Sequence, residues 1–299
     1  MDRRGFATVL GLLALAGWAT SNALTRSLVE SLGPFTVLAV GFGGGGLVLA
    51  AFETARARSP RRLVALPPRY ALGAGACFVG YCGAYAFSYH LAPDDDAALT
   101  LGLANYLWPS FLLLLAPLFG AVRPRWRLLL PGVAIATAGV AAALPPAPGG
   151  AFAIPAAALA LMLAAALLWA LYSNLARRYG AADGPGGVPL FATATGALFL
   201  AARFASGETS SWDASLAAPL AFQAAFTCGV CYALWDLGMR RGDADLLGAA
   251  SYGLPVAATL FACRWLDRPL TGGLALGAAL VVLGAVLCRA ATTPASTRA

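Results

Sequence analysis

The sequence predicts an all-α integral membrane protein of ten transmembrane helices, folded as two inverted five-helix repeats around a central cavity. Composition, the length of the apolar runs and a repetition of residue groups between the two halves carry that expectation. The chain of 299 residues is 60% hydrophobic and 11% charged, with a mean hydropathy of +0.75. Soluble domains carry about 25% charged residues, so lipid is the solvent this composition fits.

The apolar runs lie at about 5–25, 34–52, 70–90, 97–119, 128–144, 152–175, 187–204, 217–238, 246–265 and 271–288. Each is near the roughly 20 residues that cross a ~30 Å hydrocarbon core at ~1.5 Å per residue. Arg3 and Arg4 precede the first run as they would a signal peptide, but that run is long for such a segment and has no evident cleavage site; it counts as a helix.

A net charge of +7 could suggest nucleic acid, yet the chain has no lysine and its twenty arginines are scattered between the spans. Sixteen fall on the side of the N-terminus, whereas Arg26, Arg203, Arg264 and Arg268 fall opposite. By the positive-inside rule both termini are expected in the cytoplasm, with the chain in a bacterial inner membrane. The six cysteines fall in or at the ends of apolar runs, so no extracellular disulfide framework is expected. Cys228 and Cys231 form a CxxC, but inside a predicted helix they read as small core residues, with no metal expected.

The halves repeat each other. Ser21-Asn22 with Arg26 recurs as Ser173-Asn174 with Arg178; Tyr106 with Pro109 recurs as Tyr252 with Pro255. Arg123-Pro124, Gly132 and Gly139 recur as Arg268-Pro269, Gly277 and Gly284, at an offset of 145. The expected units are 1–147 and 148–299. Five spans per unit is an odd number, so the second must enter the membrane from the opposite side. The loops agree: Asp94-Asp95-Asp96 after span three is answered by Arg240-Arg241-Gly242-Asp243 after span eight. Inverted repeats are a transporter architecture, with a midplane site exposed alternately to either side.

Helical spacing gathers the polar and aromatic residues of the spans onto shared faces. Span one aligns Trp18, Ser21, Asn22 and Thr25, and span six aligns Trp169, Tyr172 and Ser173. Span three aligns Phe78, Tyr81, Tyr85, Ser88 and Tyr89; span four adds Asn105 and Trp108; span eight aligns Tyr232, Trp235, Asp236 and Met239. Packing and interfacial belts are the alternative use of such aromatics, and that reading is preferred for Tyr89 and Trp212. Trp18, Asn22, Tyr81, Tyr85, Asn105, Trp108, Trp169, Tyr172, Tyr232 and Ser251 are the candidate substrate contacts. Such a lining stacks on an apolar ring and hydrogen-bonds a polar head, which suits aromatic or large apolar amino acids.

Gly41-Phe-Gly43-Gly44-Gly45-Gly46 satisfies GxGxxG, but no strand precedes it, so close helix packing or a bend is expected rather than a dinucleotide site. Pro109 and Pro255 are candidate bending points, and His90, the one histidine, a candidate polar gate. Of thirteen acidic residues only Asp236 approaches a span interior. Proton-driven transporters carry ionisable groups within the membrane, so movement down a gradient is expected.

The run Ala98-Leu-Thr-Leu-Gly-Leu-Ala-Asn-Tyr-Leu-Trp-Pro109, an apolar helix, a short Arg-Pro loop and a Gly-spaced next span resemble the EamA-type drug/metabolite transporter family. The second copy, from Ala249-Ala-Ser-Tyr-Gly-Leu-Pro255 through Leu266-Asp-Arg-Pro269 to Gly284, carries the same resemblance, which covers nearly the whole chain. The aromatic-rich third span and Asn105-Tyr-Leu-Trp-Pro109 are most similar to its aromatic amino acid exporter branch. The resemblance implies a basket-like bundle, alternating access by rocking or bending helices, and no cofactor. Members often carry an acidic residue just after spans four and nine; Asp267 fits the second place, but Val122 occupies the first. The expected partners are a small apolar or aromatic amino acid and membrane lipid, without nucleic acid, and a single chain is expected to suffice. Proton-coupled efflux of cationic or drug-like compounds is the alternative, and a polytopic membrane enzyme a more distant one, with Asp94 to Asp96 as its one acidic cluster.

Overall fold

A computed structural model of the chain describes residues 3–57, 65–120, 124–144, 154–180, 186–243, 246–247 and 250–292, apart from the side chains of Arg56, Ala57, Asp236, Met239, Arg240 and Thr292. The expected boundary at 147/148, Val122 and Arg123, and the side chain of Asp236 therefore lie outside the described residues.

Among the described residues ten helical spans follow one another. They are α1 (Arg3–Leu32), α2 (Pro34–Ala57), α3 (Tyr70–His90), α4 (Asp95–Phe119), α5 (Trp126–Ala142), α6 (Ala156–Tyr179), α7 (Val188–Ser206), α8 (217–241), α9 (251–265) and α10 (Gly272–Thr292). Eight contain stretches long and apolar enough to cross a bilayer; α5, with 17 residues, and α9 are shorter. The face carrying Arg3 is called near and the other far.

Local chemistry sets the ends and breaks. α1 runs past its expected end at 25 to Leu32, interrupted at Thr20, whose hydroxyl donates to the Gly17 carbonyl at 2.7 Å. Gly33 then takes a φ of 82°, open to glycine without strain, and Pro34 starts α2 with its φ already fixed. α4 begins two residues before its expected start, because the Asp94 carboxylate accepts the Ala97 N–H at 2.8 Å and Asp95 and Asp96 occupy the first turn, where the helix dipole favours anions. It breaks at Tyr106–Leu107 and resumes at Trp108, with Pro109 in the new first turn; Pro255 occupies the same place in the main segment of α9. Both prolines stand where a helix restarts and no backbone N–H is required.

The helix seams run antiparallel between the halves. Gly132 of α5 meets Gly284 of α10, and Gly139 meets Gly277, so the glycines that correspond in the repeat are cross-paired as a two-fold axis in the membrane plane requires. The α2–α7 seam is built alike, with Gly43 on Gly196 and Gly46 on Thr193. A Cβ at Gly139, Gly277 or Gly284 would collide with backbone across the seam, and such close approach is how helices adhere where no hydrophobic force separates them from lipid. The α3–α6 and α1–α8 pairs also correspond under the repeat, as do α4–α6 and α9–α1. The glycine run in α2 does this packing work: Gly45 lies against Ala224 and Cys228 of α8, and α2 passes through it as one unbroken helix.

Candidate functional site

Between the two halves lies a cavity of about 510 Å³, within the ~300–1,000 Å³ usual for small-molecule sites. All ten candidate contacts line it: Trp18 and Asn22 from α1, Tyr81 and Tyr85 from α3, Asn105 and Trp108 from α4, Trp169 and Tyr172 from α6, Tyr232 from α8 and Ser251 from α9. Helical spacing identified them because the inner faces of the spans hold the side chains that lipid cannot solvate. None of the described lining residues is charged.

One wall is aromatic. Trp169 sits 4.8 Å from Tyr81 and 5.0 Å from Tyr172, and Trp18 sits 5.2 Å from Tyr232 and 5.6 Å from Trp235, as ring centroids. Phe78, fully buried behind them, meets Tyr172 edge-on at 5.5 Å, so the wall has a second aromatic layer that restricts its rotamers.

Toward the far face the lining turns polar and sealed. The Tyr85 hydroxyl donates to Asn22 Oδ1 at 2.7 Å, and Asn22 Nδ2 donates to the Gly102 carbonyl at 3.3 Å, joining α1, α3 and α4. Gln223 Nε2 donates to Thr25 Oγ1 at 2.8 Å, and Trp18 Nε1 to the Thr227 carbonyl at 3.3 Å, joining α1 to α8. Three oxygens in this lining, Asn105 Oδ1, Gln223 Oε1 and Thr227 Oγ1, are buried without a hydrogen-bond partner among the described residues. An unpartnered buried acceptor costs about 1–3 kcal/mol, so each calls for a reason.

Beyond Asn22 a second layer closes the far end. The buried Arg26 guanidinium donates to Asp95 Oδ1 at 3.0 Å, to the Tyr89 carbonyl at 3.2 Å and to the Ala92 carbonyl at 3.3 Å. Arg268, in the α9–α10 loop, pairs with both carboxylate oxygens of Asp96, and that hydrogen-bonded charge raises the guanidinium pKa further above its ordinary value. Between the layers a void with room for about one water is bounded by Asn22, Arg26, Tyr89, Gly102 and Thr259. The near end is different: Ser173, Ala176, Val188, Trp235 and Ser251 are half-buried and Gly186 is exposed, so the cavity opens toward the near face.

Some expectations change. Tyr89 takes the first of the two uses expected of it, packing rather than an interfacial belt: it is 1% exposed, with its ring 5.1 Å from Tyr85, and fills the core above the cavity. Trp212 is exposed at the far face. His90 stands apart from the cavity, exposed at the far end of α3 with its ring against Phe87. Asp94, Asp95 and Asp96 are each engaged as a cap or an ion partner, so the acidic cluster is a fastening for α4. Cys231 lies against Gly17 and Cys228 against Gly45, both as packing residues of α8. Gln223 and Thr227 were not singled out from the sequence; the signal available was a lone glutamine in the apolar run 217–238.

Residues 156–289 match the model of the EamA-like transporter family. The chain is 33% identical to the aromatic amino acid exporter YddG of Salmonella typhimurium over 96% of its own length and 97% of the relative's. It is 31% identical to YddG of Escherichia coli, covering 96% and 97%, and 33% identical to YddG of Ancylobacter novellus, covering 95% and 97%. A crystal structure of a protein 29% identical superposes with a TM-score of 0.69, covering 99% of this chain and all of that one. With these full-length relatives, the all-helical membrane fold and the matched second half, the chain belongs to the EamA-like transporter family.

Proposed function

We propose that the chain exports aromatic and other apolar amino acids from the cytoplasm by alternating access, as a facilitator driven by the substrate gradient. The observation that carries this reading is the cavity itself: an aromatic wall formed by Trp18, Tyr81, Trp169, Tyr172 and Tyr232 beside an uncharged polar end formed by Asn22, Asn105, Thr25 and Gln223. An aromatic side chain stacks on the first, and the zwitterionic head is met by dipoles at the second. Three relatives that cover nearly the whole chain are named as aromatic amino acid exporters, which supports the same substrate class.

The orientation follows from charge. Arg3, Arg4, Arg69, Arg125, Arg127, Arg177, Arg178, Arg241 and Arg289 stand on the near side, so the near face is the cytoplasmic one and the cavity is open to the cytoplasm. No described carboxylate or histidine lines the cavity, which favours transport without proton coupling.

Purified protein in liposomes tests this. Labelled tryptophan, phenylalanine, threonine, lysine and a lipophilic cation are offered with and without a pH gradient. Saturable uptake of tryptophan and phenylalanine that ignores the gradient is expected. Uptake of the cation alone, or strict dependence on the gradient, would replace this reading with drug efflux.

A further inference from the structure

We propose that Gln223, with Thr227 one turn away, is the group that selects substrates carrying a free ammonium group. The inference rests on the transport reading and assigns one pole of the substrate to one patch of the cavity.

Both residues lie on the stretch 223–230 of α8, which is wound as a π-helix with i→i−5 hydrogen bonds. π-Turns within longer helices are concentrated at functional positions. In the other spans Thr137, Ser173, Thr193 and Thr195 each donate to the carbonyl four residues back, at 2.7–2.9 Å. Thr227 does not, and its Oγ1 is left without a partner among the described residues, though the residue is 3% exposed. The wider winding thus leaves free a hydroxyl that an ordinary helix would have satisfied internally.

Gln223 is 5% exposed and held at one end only: Nε2 donates to Thr25 Oγ1 at 2.8 Å, while Oε1 has no partner among the described residues. Asn105 Oδ1, across the cavity on α4, shares that condition. The three unpartnered atoms of the cavity lining are oxygens, a fourth being the Tyr89 hydroxyl in the core above it, and an ammonium group brings three N–H donors and no acceptor. The long glutamine side chain can turn Oε1 toward a ligand by rotation about its own torsions, with no movement of α8.

The repeat sharpens the assignment. The offset of 146 that relates Tyr106 to Tyr252 also pairs Cys82-Gly83 with Cys228-Gly229, and so places Cys77 opposite Gln223 and Tyr81 opposite Thr227. The polar pair therefore belongs to the second half alone. Residues needed only for the two-fold fold recur in both halves, as the seam glycines do; this pair does not.

Three indole compounds separate the poles: tryptophan, tryptamine without the carboxylate, and indole-3-propionate without the ammonium. Inhibition of labelled tryptophan uptake is measured in proteoliposomes of the full chain. The wild type is expected to prefer tryptamine over indole-3-propionate at least tenfold. Gln223→Leu should raise the tryptophan KM at least tenfold and leave inhibition by indole-3-propionate within twofold, so the preference collapses. Gln223→Glu, close in shape, should strengthen inhibition by tryptamine relative to indole-3-propionate, a gain in preference that a misfolded protein cannot give, so the test stays decisive if the leucine variant fails to fold. Preference for indole-3-propionate in the wild type, or an unchanged ranking in both variants, overturns the assignment. A wild type that moves tryptophan but ranks the analogues equally refutes the inference alone; one that moves no aromatic amino acid removes the transport reading beneath it.

Discussion

The two ends of the cavity are built from repeat-related residues and bonded in opposite ways. At the far end Arg26, besides pairing with Glu30 of its own helix at 3.5 Å, reaches across to grip the α3–α4 turn through Asp95 and the carbonyls of Tyr89 and Ala92. Its counterpart at the near end, Arg178, lies over the ring of its neighbour Tyr179 on the same helix, 5.7 Å from the centroid. Asn22 ties α1 to both α3 and α4, whereas Asn174 donates to Leu112 of α4 and back to Ala170 of its own helix. Inverted repeats supply like residues to both ends, and one conformation uses them fully at only one. Under the alternating access proposed above, the bonds present at the far end are those that would have to be given up before it opens.

Breaking the far grip should have the largest effect. Arg26→Ala leaves two carbonyls and the one-third-exposed Asp95 carboxylate without their donor, so the loss lies at the low end of what breaking a buried pair costs, about 3 kcal/mol. The far-closed form should lose on the order of a hundredfold in population. A cysteine placed at Ala98, 2% exposed in the layer beneath Arg26, reports it through the rate of alkylation by an impermeant maleimide from the far side. An unchanged rate would mean that the grip is not what holds this end shut. Arg26→Lys keeps the charge without the forked geometry and should fall between.

Trp169→Ala acts on the open half. It removes the ring that links Tyr81 to Tyr172 in the wall, and because Trp169 is half-buried the cost falls below the about 3–5 kcal/mol of deleting a fully buried Trp. Part of that cost falls on the substrate complex, so the tryptophan KM should rise at least tenfold while threonine uptake changes less. Equal losses for both substrates in a well-folded variant would make Trp169 a packing residue only.

Tyr85→Phe is a finer probe. It deletes the hydroxyl that donates to Asn22 and nothing else, a net loss of about 0.5–1.5 kcal/mol. Opening of the far end, read by the same cysteine at position 98, should become roughly two- to tenfold faster. If it does not, the Asn22–Gly102 bond alone holds the inner layer.

Much of this comparison was readable before the fold, because it rests on patterns that lipid imposes. Spans, their inversion and the cavity-facing side chains follow from run length, an odd repeat and helical spacing, since a polar group facing hydrocarbon is costly. What stayed hidden depends on contacts between spans that no local sequence pattern records. Arg26 reads as a loop charge, because nothing in its neighbourhood tells that α1 continues to Leu32 and carries it inside. The π-wound stretch of α8 was equally silent: Ala, Phe, Thr, Cys, Gly and Val fit an ordinary helix, and only packing against Gly45 and Trp18 reveals the register.

The smallest effect is expected at the outermost tie. Arg268 and Asp96 make a two-pronged pair across the far face, but their side chains are 41% and 37% exposed, so water and salt screen them. Exposed pairs of this kind contribute little to stability. Arg268→Ala should therefore speed labelling at position 98 by less than about fivefold, with the difference from wild type shrinking as salt is raised. The contrast with Arg26→Ala is the point of the experiment, since both arginines bind neighbouring carboxylates of the same α4 turn and differ mainly in burial. If the two variants open the far end equally, the closure is a matter of charge at the α4 N-terminus. If only Arg26 matters, burial gives its bonds their weight, and the far gate lies at α1 rather than at the surface.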